Sequence, residues 1–267
     1  MAKIMDMDFV FISYNEPNKE ENYADLVNKV PWAKRVDGVE GFDSAHKAAA
    51  KLADTEFFIS VDGDNIIDES FLLETLDFQK TDQKAVHRWR AKNSVNGLVY
   101  GNGGLVGWHK KTCLNMKTHE NALASDTEGQ IDFCWSVPHV NLHNCYSTTV
   151  INGTAEQAFV AGYREGVKMS LVKGKKIDPN RFKSDIPKEN LKRLITWMSI
   201  GQDVENGKYA MLGARMGCYL TTIKEADILS VRNLKHLFTM FTHHRTHSDI
   251  DRDLQAHGES IRQRLGI

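Results

Sequence analysis

Phe9-Val10-Phe11-Ile12 is an unbroken apolar run with polar residues on both sides, the pattern of a strand buried on both faces. Tyr23, Leu26, Val27 and Val30 then recur at i, i+3, i+4 and i+7, which is one face of a helix. Pro31 ends it, because proline has no N–H to donate. Lys34 to Asp37 predicts a second short strand. Asp43 or Ser44 is placed to cap a helix whose inward face is Ala45, Ala48, Ala49 and Leu52, small enough to sit close against a sheet. Phe57 to Val61 predicts a third buried strand, running directly into Asp62-Gly63-Asp64. Strands and helices alternating at this spacing predict an α/β fold with a parallel, doubly wound sheet.

The pattern changes after residue 80. Ala85 to Ala91 and Leu98 to Trp108 read as strands around Gly101-Asn102-Gly103-Gly104. From about Thr154 the chain reads as mostly helical, with one clear stripe at Leu191, Leu194, Ile195 and Met198 and a looser one at Tyr209, Leu212, Met216 and Leu220. The segment 173–187 is the most loop-like. A boundary therefore falls near residue 153, with an α/β part at 1–153 and a helical part at 154–267.

With 267 residues the chain can bury a sizeable core, and 41% apolar with 26% charged residues is an ordinary globular balance. The formal net charge of −1 points to no partner, so charge is informative only locally. Between Arg164 and Arg193 ten basic residues stand against four acidic ones. Arg164, Lys168, Lys175, Lys176 and Arg181 are the leading candidates in that stretch for gripping a phosphate backbone. The competing reading is a solvated helix–loop–helix face. Cys113, Cys134, Cys145 and Cys218 are far apart and form no CxxC pair, which predicts reduced core thiols. The first eight residues lack a signal peptide's apolar segment and no run is long enough to span a membrane, so a soluble, cytoplasmic protein with no membrane partner is expected.

In open α/β sheets ligands bind beyond the carboxyl ends of the strands. Ser13-Tyr14-Asn15-Glu16 and Asp62-Gly63-Asp64 both fall at such ends, so both polar clusters are expected to face one crevice. Two carboxylates separated by a glycine can bind one hard cation, Mg²⁺ or Mn²⁺, with positions left for phosphate oxygens. Such a cation neutralises charge building on a departing diphosphate. An acidic turn is the competing reading, since Asp-Gly is a common turn dipeptide.

Three segments together resemble the amino-terminal half of family-2-like glycosyltransferases of the GT-A type: Phe9-Val-Phe-Ile-Ser-Tyr-Asn-Glu-Pro, Gly41-Phe-Asp-Ser-Ala-His-Lys-Ala-Ala-Ala and Phe57-Phe-Ile-Ser-Val-Asp-Gly-Asp-Asn. The likeness covers residues 8 to 70 well and weakens to about 165. It implies a Rossmann-like nucleotide-diphospho-sugar transferase sheet followed by a mostly helical C-terminal region. It further implies nucleoside contacts from Ser13, Tyr14 and Glu16, metal contacts from Asp62 and Asp64, and nucleotide contacts from His46 and Lys47. Gly103 and Gly104 would border the donor sugar, Asp132 or its rivals Asp126 and Glu128 would be the general base, and Trp108 would lie on the acceptor side. Where GT-A enzymes have a third metal ligand it is often a downstream histidine. His119 is favoured over His139, His143, His243, His244 and His247, although no spacing singles one out.

The whole chain also resembles a group of tailed-bacteriophage glycosyltransferases. Trp89-Arg-Ala-Lys-Asn-Ser-Val-Asn-Gly-Leu-Val-Tyr-Gly-Asn-Gly-Gly-Leu, Asp132-Phe-Cys-Trp and Phe159-Val-Ala-Gly-Tyr-Arg-Glu-Gly-Val-Lys-Met-Ser-Leu carry this likeness. Some of that group add glucose or arabinose to 5-hydroxymethylcytosine in phage DNA. The resemblances imply a UDP-sugar donor, Mn²⁺ or Mg²⁺, and hydroxymethylated DNA as acceptor. A nucleotidyltransferase, a glycosyltransferase with another acceptor, and a nucleic-acid-binding module with an inert DxD are the alternatives.

Overall fold

The computed structural model describes every residue except 79–81, 102, 225 and 248, and the side chains of 244–247 are likewise outside the description. The chain divides into two compact units, Met1–Val150 and Ile151–Ile267.

The first unit is built on β2 (Asp8–Ser13), which follows a short β1 (Ala2–Lys3). Then come α1 (Lys19–Lys29), β3 (Lys34–Asp37), α2 (Phe42–Leu52), β4 (Phe57–Asp62), β5 (Asn65–Ile67) and β6 (Thr75–Leu76). The remaining elements are β7 (Val86–Asn93), β8 (Val99–Tyr100), β9 (Leu105–His109), α3 (Lys110–Asn115), α4 (Phe133–Ser136) and β10 (His139–Thr149). Among the described residues eight strands form one sheet, in the order β3-β2-β4-β9-β7-β10-β5 with β8 on β7.

The apolar run read as a two-sided buried strand behaves as one. Successive side chains of a strand point to opposite faces. Val10 and Ile12 join a core with Ala45, Ala49, Phe58 and Trp108 on the α2 side. Phe9 and Phe11 join Leu26, Ile59, Val61 and Phe71 on the α1 side. The expected α/β class holds, but the sheet is mixed rather than parallel. β3, β2 and β4 run parallel, whereas β9 is antiparallel to both β4 and β7. A parallel neighbour needs a long crossover, usually a helix. From β7 to β9 the chain offers only short turns, and these return it antiparallel.

The start of α2 also differs from expectation. Gly41, at φ +98°, is its N-cap residue, and Asp43 lies inside the first turn with no exposed surface. A Cβ at Gly41 would overlap the Glu120 carboxylate, which accepts hydrogen bonds from the Asp43 and Ser44 backbone N–H groups. Glu120 therefore supplies the cap from outside the helix. The buried face is Ala45, His46, Ala49 and Ala50, while Leu52 is 40% exposed. The buried face is thus turned toward His46, which an apolar stripe leaves out.

The second unit contains α5 (Ala155–Met169), the β11–β12 hairpin (Leu171–Val172, Lys175–Lys176), α6 (Phe182–Asp185), α7 (Lys188–Ser199), α8 (Gly207–Thr222), α9 (Leu234–His247) and α10 (Ile250–Leu265). Lys173 and Gly174 both have positive φ, as the favoured two-residue hairpin turn requires. Segment 173–187 is thus partly ordered into strand and helix, and Ile177, Phe182 and Ile186 are its buried anchors. On α7 the buried residues are Leu194, Trp197 and Met198; Ile195, read as part of the stripe, is exposed. All four cysteines are free thiols, but Cys145 is exposed, unlike the buried Cys113, Cys134 and Cys218. No helix among the described residues is long and apolar enough to cross a membrane.

Candidate functional site

β2 and β4 are hydrogen-bonded parallel neighbours with Ile12 opposite Asp62, so their following segments leave the sheet side by side. Gly63 shows how closely they meet. A Cβ there would lie 2.8 Å from a Glu16 carboxylate oxygen and 3.1 Å from Ser13 Cβ. Glu16 in turn accepts from the Tyr14 N–H at 2.7 Å, and the buried Asn22 amide donates to the Gly63 carbonyl at 2.9 Å. Ser13, Tyr14, Glu16 and the Asp62-Gly63-Asp64 turn therefore form one constellation at the strand ends.

A residue that sequence reasoning missed completes its edge. Asp37 ends β3 directly opposite Ser13. Its Oδ1 accepts from Lys19 Nζ and from Ser13 Oγ, both at 2.7 Å. The Lys19 and Ser13 hydrogen bonds, in that order, hold the Asp37 carboxyl below the ordinary aspartate range. Arg35 donates to Ser13 Oγ at 3.1 Å, pairs with Glu20 at 2.7 Å and lies 4.9 Å over the Tyr23 ring. The only advance signal was the position of Asp37 at a strand end.

The Asp62-Gly63-Asp64 turn is pinned on its other side by β9 and β10. The Asp62 N–H donates to the Gly104 carbonyl at 2.9 Å, and the Val150 N–H donates to the Asp64 carbonyl at 2.7 Å. Asn65, 1% exposed, donates through Nδ2 to Asp64 Oδ1 at 2.7 Å. Its Oδ1 accepts from the Ser147 and Thr149 hydroxyls, each at 3.2 Å. A Cβ on Gly104 would fall onto the Asn65 amide, so Gly104 makes room for that side chain. Gly103 has φ +85°. Asn102, from the same glycine-rich segment, lies outside the described residues.

Several candidates are placed elsewhere. His46 is buried, its Nδ1 2.7 Å from the Phe42 carbonyl and its ring packed on Trp108 and Phe133. Burial pushes its pKa down, against the raising effect of the Phe42 hydrogen bond, and its ring packs inward rather than lying on the helix surface. Lys47 is held 2.6 Å from buried Asp43. Trp108 has no exposed surface and donates to Ser60 Oγ at 2.9 Å; a core side chain offers an acceptor no face, which corrects its acceptor-side assignment. His119 is buried against Phe42 and Phe133, with ring centroids 5.1 and 6.2 Å away. Among the described residues no group of three His, Cys, Asp or Glu side chains is assembled to hold a metal, so Asp62, Asp64 and His119 do not make a ready three-ligand set. Two carboxylates still suit Mg²⁺ or Mn²⁺, which take one or two protein carboxylates and complete their shell with water and substrate phosphates.

Asp132 is half-buried and caps α4, accepting from the Cys134 N–H at 2.9 Å. Asp126 is similarly used by the Gly129 N–H at 2.8 Å. The Glu128 side chain, four residues before Asp132, is half-buried. His139 and His143 lie on strand β10, not on one helix turn, and His143 Nδ1 is 2.9 Å from an Arg90 guanidinium nitrogen. The side chains of His244 and His247 lie outside the described residues. In the second unit Lys175 and Lys176 are exposed on β12, whereas Arg164 and Lys168 are half-buried on α5. Lys168 is 3.6 Å from Glu165 and Arg181 3.0 Å from Asp185.

No family model and no curated protein matches the chain. Solved structures similar to it include S. aureus TarS 1-349 in complex with UDP-GlcNAc, at 13% identity over 96% of this chain and 91% of that one, with a TM-score of 0.41. Another is the mannosyltransferase PcManGT from Pyrobaculum calidifontis in complex with GDP-Man and Mn²⁺, at 10% identity over 97% and 86%, TM-score 0.39. A third is a glycosyltransferase involved in the glycosylation of the major capsid of PBCV-1, at 12% identity over 56% and 97%, TM-score 0.33.

Proposed function

We propose that the chain is a metal-dependent GT-A glycosyltransferase that moves a sugar from a UDP-sugar to a hydroxyl acceptor. The observation that carries this reading is the meeting of Glu16 and Ser13 with Gly63, which puts a polar edge beside a carboxylate pair. Asp37, Ser13 and Glu16 hold the nucleoside, and Asp62 and Asp64 hold Mn²⁺ or Mg²⁺. When bound, the cation supplies Lewis-acid stabilisation of the leaving diphosphate. Glu128, with Asp132 as its rival, takes the proton of the attacking hydroxyl. The 1–150 unit carries the donor and the 151–267 unit serves the acceptor.

The acceptor in this reading is 5-hydroxymethylcytosine in DNA, and the sugar is glucose or arabinose. The exposed Lys175, Lys176 and Arg181 support a nucleic-acid acceptor because backbone affinity comes from such cations. The base must leave the stack to present its hydroxyl. Mass spectrometry of nucleosides from hydroxymethylcytosine DNA, incubated with the protein, Mn²⁺ and a panel of sugar nucleotides, tests donor and acceptor together. An added hexose or pentose on the modified cytosine is expected. It should disappear in Asp62→Ala and Asp64→Ala, which remove no core side chain. Transfer of nucleoside monophosphate instead would replace this reading with a nucleotidyltransferase.

A further inference from the structure

Asn65 follows the two aspartates and is among the most buried polar side chains of the first unit. Its orientation follows from chemistry. An ionised carboxylate only accepts hydrogen bonds, so the group facing Asp64 Oδ1 at 2.7 Å must be the amide nitrogen. The amide oxygen then faces Ser147 and Thr149, whose hydroxyls donate to it at 3.2 Å. Those two residues lie on β10 at and near the point where Thr149 registers with Asn65, so two strands of backbone fix the amide plane. Gly104 closes the arrangement by leaving the amide the volume of a missing Cβ.

We propose that Asn65 is the positioning residue of the cation site, orienting the Asp64 carboxylate through a hydrogen bond that Ser147 and Thr149 set. The proposal rests on the reading of Asp62 and Asp64 as metal ligands. Asn65 engages Oδ1 of Asp64 and thereby limits where the carboxylate plane points. Partners of this kind raise metal affinity by limiting the ligand's rotation, and their loss weakens binding roughly 10-fold or more. The chain of contacts also explains a requirement for glycine at 104 that a ligand-bordering role does not.

Free Mn²⁺ measured by electron paramagnetic resonance, in titrations of the whole protein with UDP present, provides a readout independent of transfer. Asn65→Leu keeps the size and removes the donor. It should weaken Mn²⁺ binding by about 10-fold. Ser147→Ala with Thr149→Val keeps Asn65 but frees its amide to flip, and should produce a smaller loss in the same direction. This pair serves if Asn65→Leu fails to fold. Wild-type Mn²⁺ affinity in both variants, alongside lost binding in Asp64→Ala, would overturn the positioning role and leave the metal reading standing. An absence of UDP-dependent Mn²⁺ binding in the wild type would overturn both.

Discussion

Lys47 Nζ lies 2.6 Å from Oδ1 of Asp43, one turn earlier on α2, and the Asp43 side chain is wholly buried. Oδ2 of the same carboxylate accepts from the Thr118 N–H at 2.6 Å and from its hydroxyl at 3.3 Å. A buried carboxylate left without its cation carries an uncompensated charge, which typically costs 3–5 kcal/mol. Lys47→Met should therefore destabilise the protein by about 3 kcal/mol in urea unfolding. Asp43→Asn, which keeps an acceptor for Thr118 but removes the charge, should cost about 1–2 kcal/mol. Equal small losses in the two variants would show that the pair is incidental to the fold.

His46 makes stability depend on pH. Burial lowers its folded pKa below the ordinary value near 6.5, so below that pH the unfolded chain binds the proton more readily than the folded one. Its contribution is full above about pH 6.5 and is lost as pH falls through the folded value. His87 has the same sign, burial again lowering its pKa, so the wild-type curve alone cannot separate them. His46→Phe keeps an aromatic ring against Trp108 and Phe133 and removes the titration. Unfolding free energies at pH 7.5 and 5.5 should differ less in this variant than in the wild type. An unchanged difference would assign the acid sensitivity to His87 and the carboxylates.

The α5–α8 pair tests packing by the sign of a substitution. A Cβ on Gly213 would fall onto the Phe159 carbonyl, and one on Gly217 onto that of Tyr163. In an exposed helix Gly→Ala stabilises by roughly 0.5–1 kcal/mol. Here the added carbon meets backbone, which cannot rotate away, and overpacking typically costs 1–3 kcal/mol. Gly213→Ala should therefore lower stability by about 2 kcal/mol, and a rise in the unfolding midpoint would mean that the helices separate at little cost.

Local pattern makes β2, β3, β4 and the Asp62-Gly63-Asp64 turn legible in the sequence, because an apolar run followed by paired acids is contained in adjacent residues. The antiparallel insertion of β9 was not legible, since it depends on which strand edge remains open after β4. His46 and Trp108 illustrate a second blind spot. Each carries a polar atom that suggests a surface role, and burial of both depends on contacts from Phe133, far along the chain. Asn65 and Asp37 were missed because a single amide or carboxylate has no periodicity. Their roles arise from register with β10 and β2.

Salt provides the last test, because the proposed acceptor is a polyanion and the donor is not. The slope of log affinity against log salt is about −0.9 for each phosphate contacted on duplex DNA. Of the ten basic residues between Arg164 and Arg193, Lys168, Arg181 and Lys192 each have an acidic neighbour within 4 Å, at Glu165, Asp185 and Glu189. Lys175 and Lys176 are exposed together on one hairpin strand. Lys175→Glu with Lys176→Glu should thus reduce the steepness of the slope for DNA binding by about two, and Lys168→Glu by less than one. UDP-sugar hydrolysis without DNA should be insensitive to salt in every variant. Equal salt slopes in the wild type and the double variant would remove the hairpin lysines from the acceptor path and point to an acceptor other than DNA.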